Sequence, residues 1–191
     1  GCRVNRPSND HAVTQTLYSS MVSDPRTFNP ILVTDSASNQ AVGDLFEGLV
    51  RINPVTTLPE PGLAQSWELG DGGKTITFHL RHDVKWSDGA PFTSRDVVFT
   101  MRVIYDPKIP NSAVFSMTVD GQPIKVEAPD DYTVVMRLPR PFAPLFYSIG
   151  FGIIPAHVLE PVYAAGDFNH AWGIDTAPDK LISLGAYQMD R

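Results

Sequence analysis

Between Lys74 and Pro107 the hydrophobic pattern changes period, and few architectures accommodate such a switch. In KTITFHLR, Ile76, Phe78 and Leu80 share one face while Thr75, Thr77, His79 and Arg81 share the other. That alternation predicts a half-buried strand. Ser87-Asp88-Gly89 then reads as a turn. Beyond it, Thr93 is an N-cap residue with Asp96 three positions on, where a capping box places an acidic side chain. Val97, Val98, Met101, Ile104 and Tyr105 follow as an apolar helical stripe that ends before Pro107. A strand feeding a helix through a tight turn predicts an α/β (mixed α+β) fold.

The rest of the chain is punctuated in the same way, by 17 prolines and 14 glycines among 191 residues. Such a density predicts many turns and a largely β or mixed chain. Residues 12–17 alternate weakly and predict a first strand, followed by turn chemistry in SDPRTFNP (Ser23 to Pro30). A helix is expected from Ser36, carrying Val42, Leu45, Phe46 and Leu49 on one stripe, with Gly48 near its end and a strand over Leu49 to Ile52. Ser66 to Leu69 and KTITFHLR predict two strands joined by GDGGK, whose glycines reach positive φ at little cost. Ile124 with Val126, and Tyr132 with Val134 and Met136, predict two more strands around Pro129-Asp130-Asp131. PFAPLFYSIGFGIIPAHVLE predicts a short helix and then a strand ending at Pro155, and GAYQM a closing strand.

Charge narrows the partners. The formal charge of −6, with no cluster of Lys or Arg, excludes a nucleic-acid ligand. No apolar run approaches the roughly 20 residues needed to cross a bilayer. No leader segment is visible, so the sequence is expected to start after one. Cys2, the single cysteine, directly follows Gly1, as in a bacterial lipoprotein cleavage site; it reads equally as an ordinary free thiol. Residues 1–11 are expected to be a flexible tether.

FHLRHDVKWSDG (Phe78 to Gly89) is the stretch that most resembles a catalytic or metal centre, with two histidines and two aspartates in twelve residues. A chelating pair on a strand needs i and i+2 spacing, however. His79 and His82 are three apart and are expected on opposite faces. Asp83 cannot share the face of His82 in a strand, and Asp88-Gly89 is explained as a turn dipeptide. Trp86 reads as a buried anchor whose indole N–H needs a partner. The sequence contains no G-x-S-x-G, no H-E-x-x-H and no phosphate-binding glycine loop. The expectation is a structural strand and turn, with no cofactor, no metal and no enzymatic activity.

Several blocks, in order, carry a family resemblance. DLFEGLV (Asp44 to Val50), PGLAQSWEL (Pro61 to Leu69), DGGKTITFHLRHDVKWSDGAPFTSRDVVF (Asp71 to Phe99) and KVEAPDDYTVVMRLPRPFAPLF (Lys125 to Phe146) resemble the N-terminal part of bacterial extracellular solute-binding proteins of the peptide/nickel class. IIPAHVLE (Ile153 to Glu160) and SLGAY (Ser183 to Tyr187) extend the resemblance. These proteins are the oligopeptide- and dipeptide-binding components of ABC importers. Phe28-Asn29-Pro30 departs mildly, standing where the family often has Leu-Asp-Pro.

The resemblance implies a periplasmic-binding-protein-like clamshell. Residues 12–50 and 161–191 would be parts of lobe I and residues 51–160 its accessory subdomain, with lobe II absent and the chain truncated. It implies ligand contacts through the main chain at Thr34, Asp35 and Ser36, pairing with an extended peptide as an added strand. The turn at Asn111, Ser112 and Ala113 would approach the cleft, although an aromatic residue found there in some members is missing. Implied partners are a peptide or other small solute and the transmembrane subunits of an ABC permease, at the outer face of the cytoplasmic membrane. Two alternatives stand beside this reading: a metal-dependent hydrolase built on His79, His82, Asp83 and Asp88, and a surface interaction module without transport.

Overall fold

The computed structural model describes residues 23–185, 187 and 189. Cys2, the expected tether and the expected strand over residues 12–17 lie outside the described residues, as does part of GAYQM.

A four-stranded antiparallel sheet forms the centre. Strands β3 (Ala64–Gly70), β4 (Thr75–Leu80), β7 (Lys125–Asp130) and β8 (Thr133–Arg137) pair in the order β3-β4-β8-β7. Two short hairpins complete the β structure: β1 (Val50–Ile52) with β2 (Pro59–Pro61), and β5 (Thr118–Val119) with β6 (Gln122–Pro123). The period-two reading of β4 holds, with Ile76, Phe78 and Leu80 buried and Thr75, Thr77 and His79 only partly covered. The β3–β4 turn uses positive φ at Asp71, Gly72 and Gly73. Helix α1 spans Ser36–Leu45 and helix α2 spans Ser94–Ile104, packing across β7, β8 and helix α5 (Ala156–Ala164). Single turns α3 (Ala113–Ser116) and α4 (Leu145–Ser148) lie between.

Three expectations are corrected. Helix α1 stops at Leu45, so Phe46 and Leu49 are buried outside it and Gly48 lies beyond its end. Phe46 turns away to stack on Trp172, with ring centroids 5.5 Å apart. The strand expected to end at Pro155 does not form. Residues 149–153 instead cross the backbone of the Gly48 region, with a single hydrogen bond from Ile153 N–H to the Glu47 carbonyl at 3.1 Å. A β-carbon on Gly48 would come within 2.7 Å of Gly150, and one on Gly62 within 2.6 Å of the Gly48 carbonyl. These glycines allow three backbones to touch, at the expense of a regular ladder. Third, an unexpected helix, α5, starts directly after Pro155, although Pro161 sits inside it and Pro155 at its N-cap.

One buried carboxylate joins the helices to the sheet turn. Asp96 is only 3% exposed. Its Oδ2 accepts from Thr93 N–H at 3.0 Å and from the Trp86 indole N–H at 3.3 Å, and its Oδ1 from Ala156 N–H at 2.8 Å. Asp96 therefore caps α2, satisfies the expected indole donor and holds the first turn of α5. Burial pushes its carboxyl above the usual 3.8, although the three donors pull the other way.

Candidate functional site

Asp35 is the N-cap of α1 in extended conformation, with φ −128° and ψ 159°. Its Oδ1 accepts from Ser38 N–H at 2.9 Å and its Oδ2 from the Ser38 hydroxyl at 2.7 Å. The Ser38 N–H, then the Ser38 hydroxyl, holds the Asp35 carboxyl below its usual range. Thr34 and Ser36 on either side are exposed. Among the described residues no hydrogen bond engages the main chain of Thr34. Ser36 N–H stands at the helix start, where no intrahelical carbonyl precedes it. Residues 34–36 thus present main-chain groups on a segment whose position is fixed by the cap. That combination suits an extended ligand strand.

The second expected contact region is occupied internally. The Asn111 amide donates to the Ile104 carbonyl at 3.0 Å and the Ile109 carbonyl at 2.9 Å, while its oxygen accepts from Val114 N–H at 3.0 Å. Its side chain closes the end of α2 and starts α3, leaving Ser112 as the exposed group of the turn and Ala113 half-buried. Phe115, just beyond the turn, is 81% exposed. No hydrogen bond or ion pair joins residues 34–36 to residues 111–113 among the described residues.

The FHLRHDVKWSDG residues separate into unrelated pairs, with one correction. His79 and His82 line the same open groove of about 490 Å³, with Ser66, Asp130, Asp131 and Tyr132. Strand parity fails there because β4 ends at Leu80 and the chain then turns, letting His82 stack on Tyr132 at 3.9 Å. His79 lies 3.5 Å from Glu68. Asp83 is instead held by the Arg81 guanidinium in a two-point contact at 3.1 and 2.9 Å. Asp88 pairs with His157 of α5 at 2.8 Å. Partial burial pushes the Asp88 carboxyl up, but the His157 hydrogen bond and Ala90 N–H bring it net below its usual range. Among the described residues no group of three His, Cys, Asp or Glu side chains is placed to hold a metal. No helix among them is long and apolar enough to cross a membrane.

The SLGAY segment reaches the same turn. Ser87 N–H donates to the Ser183 carbonyl at 2.9 Å, and Ser183 N–H donates to the Ser87 hydroxyl at 3.1 Å. The N–H groups of Leu184 and Gly185 both donate to the Leu45 carbonyl, and a β-carbon on Gly185 would sit 2.7 Å from the Leu45 backbone. The blocks that resemble a family in sequence are therefore the blocks that touch: DLFEGLV, the WSDG turn and SLGAY.

The family model for bacterial extracellular solute-binding proteins, family 5 Middle, matches residues 59–191. The chain belongs to this family. Among curated relatives, a probable deoxycholate-binding periplasmic protein of Escherichia coli K12 is 31% identical over 186 residues, covering 88% of this chain and 33% of the relative. The periplasmic oligopeptide-binding protein of the same organism is 31% identical over 192 residues, covering 93% and 34%. Among solved structures, the ABC transporter substrate-binding protein CtaP from Listeria monocytogenes aligns with a TM-score of 0.69 at 29% identity, over 88% of this chain and 32% of that one. The chain spans about a third of the length of the family members it matches. These relatives are named for solute binding and none for catalysis. The fold is that of the corresponding part of the family.

Sequence reasoning missed the residues that hold the 34–36 segment in place. Ser38, with none of its surface exposed, and Asn29, equally buried, both lie in a stretch rich in small polar residues, where burial leaves no periodic mark. The one signal was D-x-x-S at Asp35 and Ser38, the spacing of an N-cap and its third helical residue.

Proposed function

We propose that the protein carrying this chain is the solute-binding component of a bacterial ABC importer. It captures peptides or a related small solute outside the cytoplasmic membrane and delivers it to the permease transmembrane subunits. It is not an enzyme. Thr34, Asp35 and Ser36 supply main-chain contacts to the ligand, with Ser112 and Ala113 at a secondary position and Asn111 shaping that turn. The observation that carries this reading is the pair of exposed residues Thr34 and Ser36, held on either side of the Asp35–Ser38 cap in a chain of this family. The relatives' names, oligopeptide-binding in one and deoxycholate-binding in another, support a solute that this portion alone does not specify. Residues 51–160 form the accessory subdomain of lobe I, with 12–50 and 161–191 in the lobe itself, and lipidation of Cys2 would tether the protein to the membrane.

The test is native mass spectrometry of the full-length protein from its own host. A stoichiometric small solute that dissociates intact is the expected result. A solute chemically converted on incubation, or protein free of solute across growth conditions and peptide mixtures, would overturn it.

A further inference from the structure

We infer that Ser38 is the positioning residue of the binding segment, an inference that rests on the function proposed above. A serine hydroxyl can donate one hydrogen bond and accept two. Ser38 uses all three: it accepts from Arg26 N–H at 2.8 Å and Thr27 N–H at 3.3 Å, and donates to Asp35 Oδ2 at 2.7 Å. The side chain is wholly buried, so water cannot substitute.

The two accepted bonds come from a turn that is itself anchored far along the chain. Phe28 N–H donates to the Trp172 carbonyl at 2.8 Å and the Thr27 hydroxyl to the same carbonyl at 3.2 Å. The Asn29 amide reaches the Ala171 carbonyl at 3.4 Å, while its oxygen accepts from Ile31 N–H at 3.1 Å. Trp172 holds this geometry with φ at 58°, its ring on Phe46 and its indole N–H on the Lys180 carbonyl at 3.2 Å. The Ser38 hydroxyl thus joins Asp35 to a frame built by residues 171–173. Main-chain pairing with an extended ligand depends on register, and a segment released from its frame must be reordered on binding. Ser38 touches no ligand in this scheme. It sets where Thr34 to Ser36 stand.

The experiment compares full-length wild type, Ser38→Ala and Tyr105→Phe, using trialanine titrated calorimetrically and amide hydrogen exchange. Tyr105→Phe also removes part-buried hydrogen bonds but makes none to residues 26–38, and controls for general loosening. The expected result is at least tenfold weaker trialanine binding in Ser38→Ala and a change within twofold in Tyr105→Phe. Exchange at the Ser38 and Asn39 amides, which donate to Asp35, should accelerate at least tenfold in Ser38→Ala, with the β4 amides unchanged. Unchanged exchange at Ser38 and Asn39 in Ser38→Ala, or equal loss of affinity in both variants, overturns the inference. Failure of wild type to bind trialanine or any co-purified solute would instead sink the proposed function, and the exchange result alone would decide whether Ser38 positions the segment.

Discussion

Replacing Asp96 with asparagine keeps the shape of the side chain and removes one acceptor from a site that needs two. Three donors converge there: Ala156 N–H on Oδ1, and Thr93 N–H with the Trp86 indole N–H on Oδ2. With the amide nitrogen at the Oδ2 position, two donors are opposed. The flipped rotamer opposes only Ala156 N–H, so it is the one expected. It leaves a buried backbone donor facing a buried amide donor. An unsatisfied buried donor costs about 1–3 kcal/mol. Against this, the neutral amide escapes the burial penalty that raises the Asp96 carboxyl. The net loss at neutral pH should be about 1–2 kcal/mol, measurable by urea unfolding with an unchanged m-value. The pH dependence has a definite sign. Because the folded carboxyl titrates above 3.8, its contribution is complete below 3.8 and is lost as pH rises through the raised folded value. The Asp96→Asn side chain has no such proton, so the wild-type margin should be widest in acid and narrow as pH rises. An Asp96→Asn protein as stable as wild type at neutral pH would refute the three-donor account, and a margin that widens with pH would refute the dominance of burial over the donors at this carboxyl.

Other outcomes follow from the same contacts. Gly48→Ala should destabilise by about 1–3 kcal/mol in thermal or urea melts, because its β-carbon would meet Gly150 backbone at 2.7 Å and neither side can yield. Tyr105→Phe should lose about 1–2 kcal/mol, since the phenol donates to the Met117 carbonyl at 2.7 Å and accepts from Ile124 N–H at 3.0 Å. In an absorbance titration of the wild type, burial should delay ionisation of this tyrosine to about 12, and a normal titration would contradict the burial. His79→Ala with His82→Ala should leave solute retention and metal content as in wild type, read by mass spectrometry and elemental analysis; loss of a stoichiometric metal would restore the hydrolase reading.

Much of the central sheet is legible in the sequence because burial along β4 is strictly alternating. The Ile76, Phe78, Leu80 face needs no partner information to be recognised, nor do Thr93 and Asp96 at the start of α2. The α5 helix is hidden because Pro155 and Pro161 speak against helix locally, while the bonds from Ala156 N–H to Asp96 and from Ile154 N–H to the Thr100 hydroxyl reach back to α2, more than fifty residues earlier. The end of α1 is misplaced for a similar reason: Phe46 answers to Trp172, a contact no local pattern reveals. Histidine parity fails because one turn at Arg81 separates a strand residue from a loop residue. Asn111 keeps its expected place at a turn but spends its side chain on backbone carbonyls. The small polar residues that fix Asp35 carry no periodic signature, and the D-x-x-S spacing marks only the cap, not the bonds from Arg26 and Thr27 N–H to the Ser38 hydroxyl.

The most direct test is hydrogen exchange on the full-length protein with and without its co-purified solute. New protection is predicted at the amides of Thr34 and Ser36, with the groove between His79 and His82 unaffected. Protection appearing at that groove, with Thr34 to Ser36 unchanged, would contradict the proposed site.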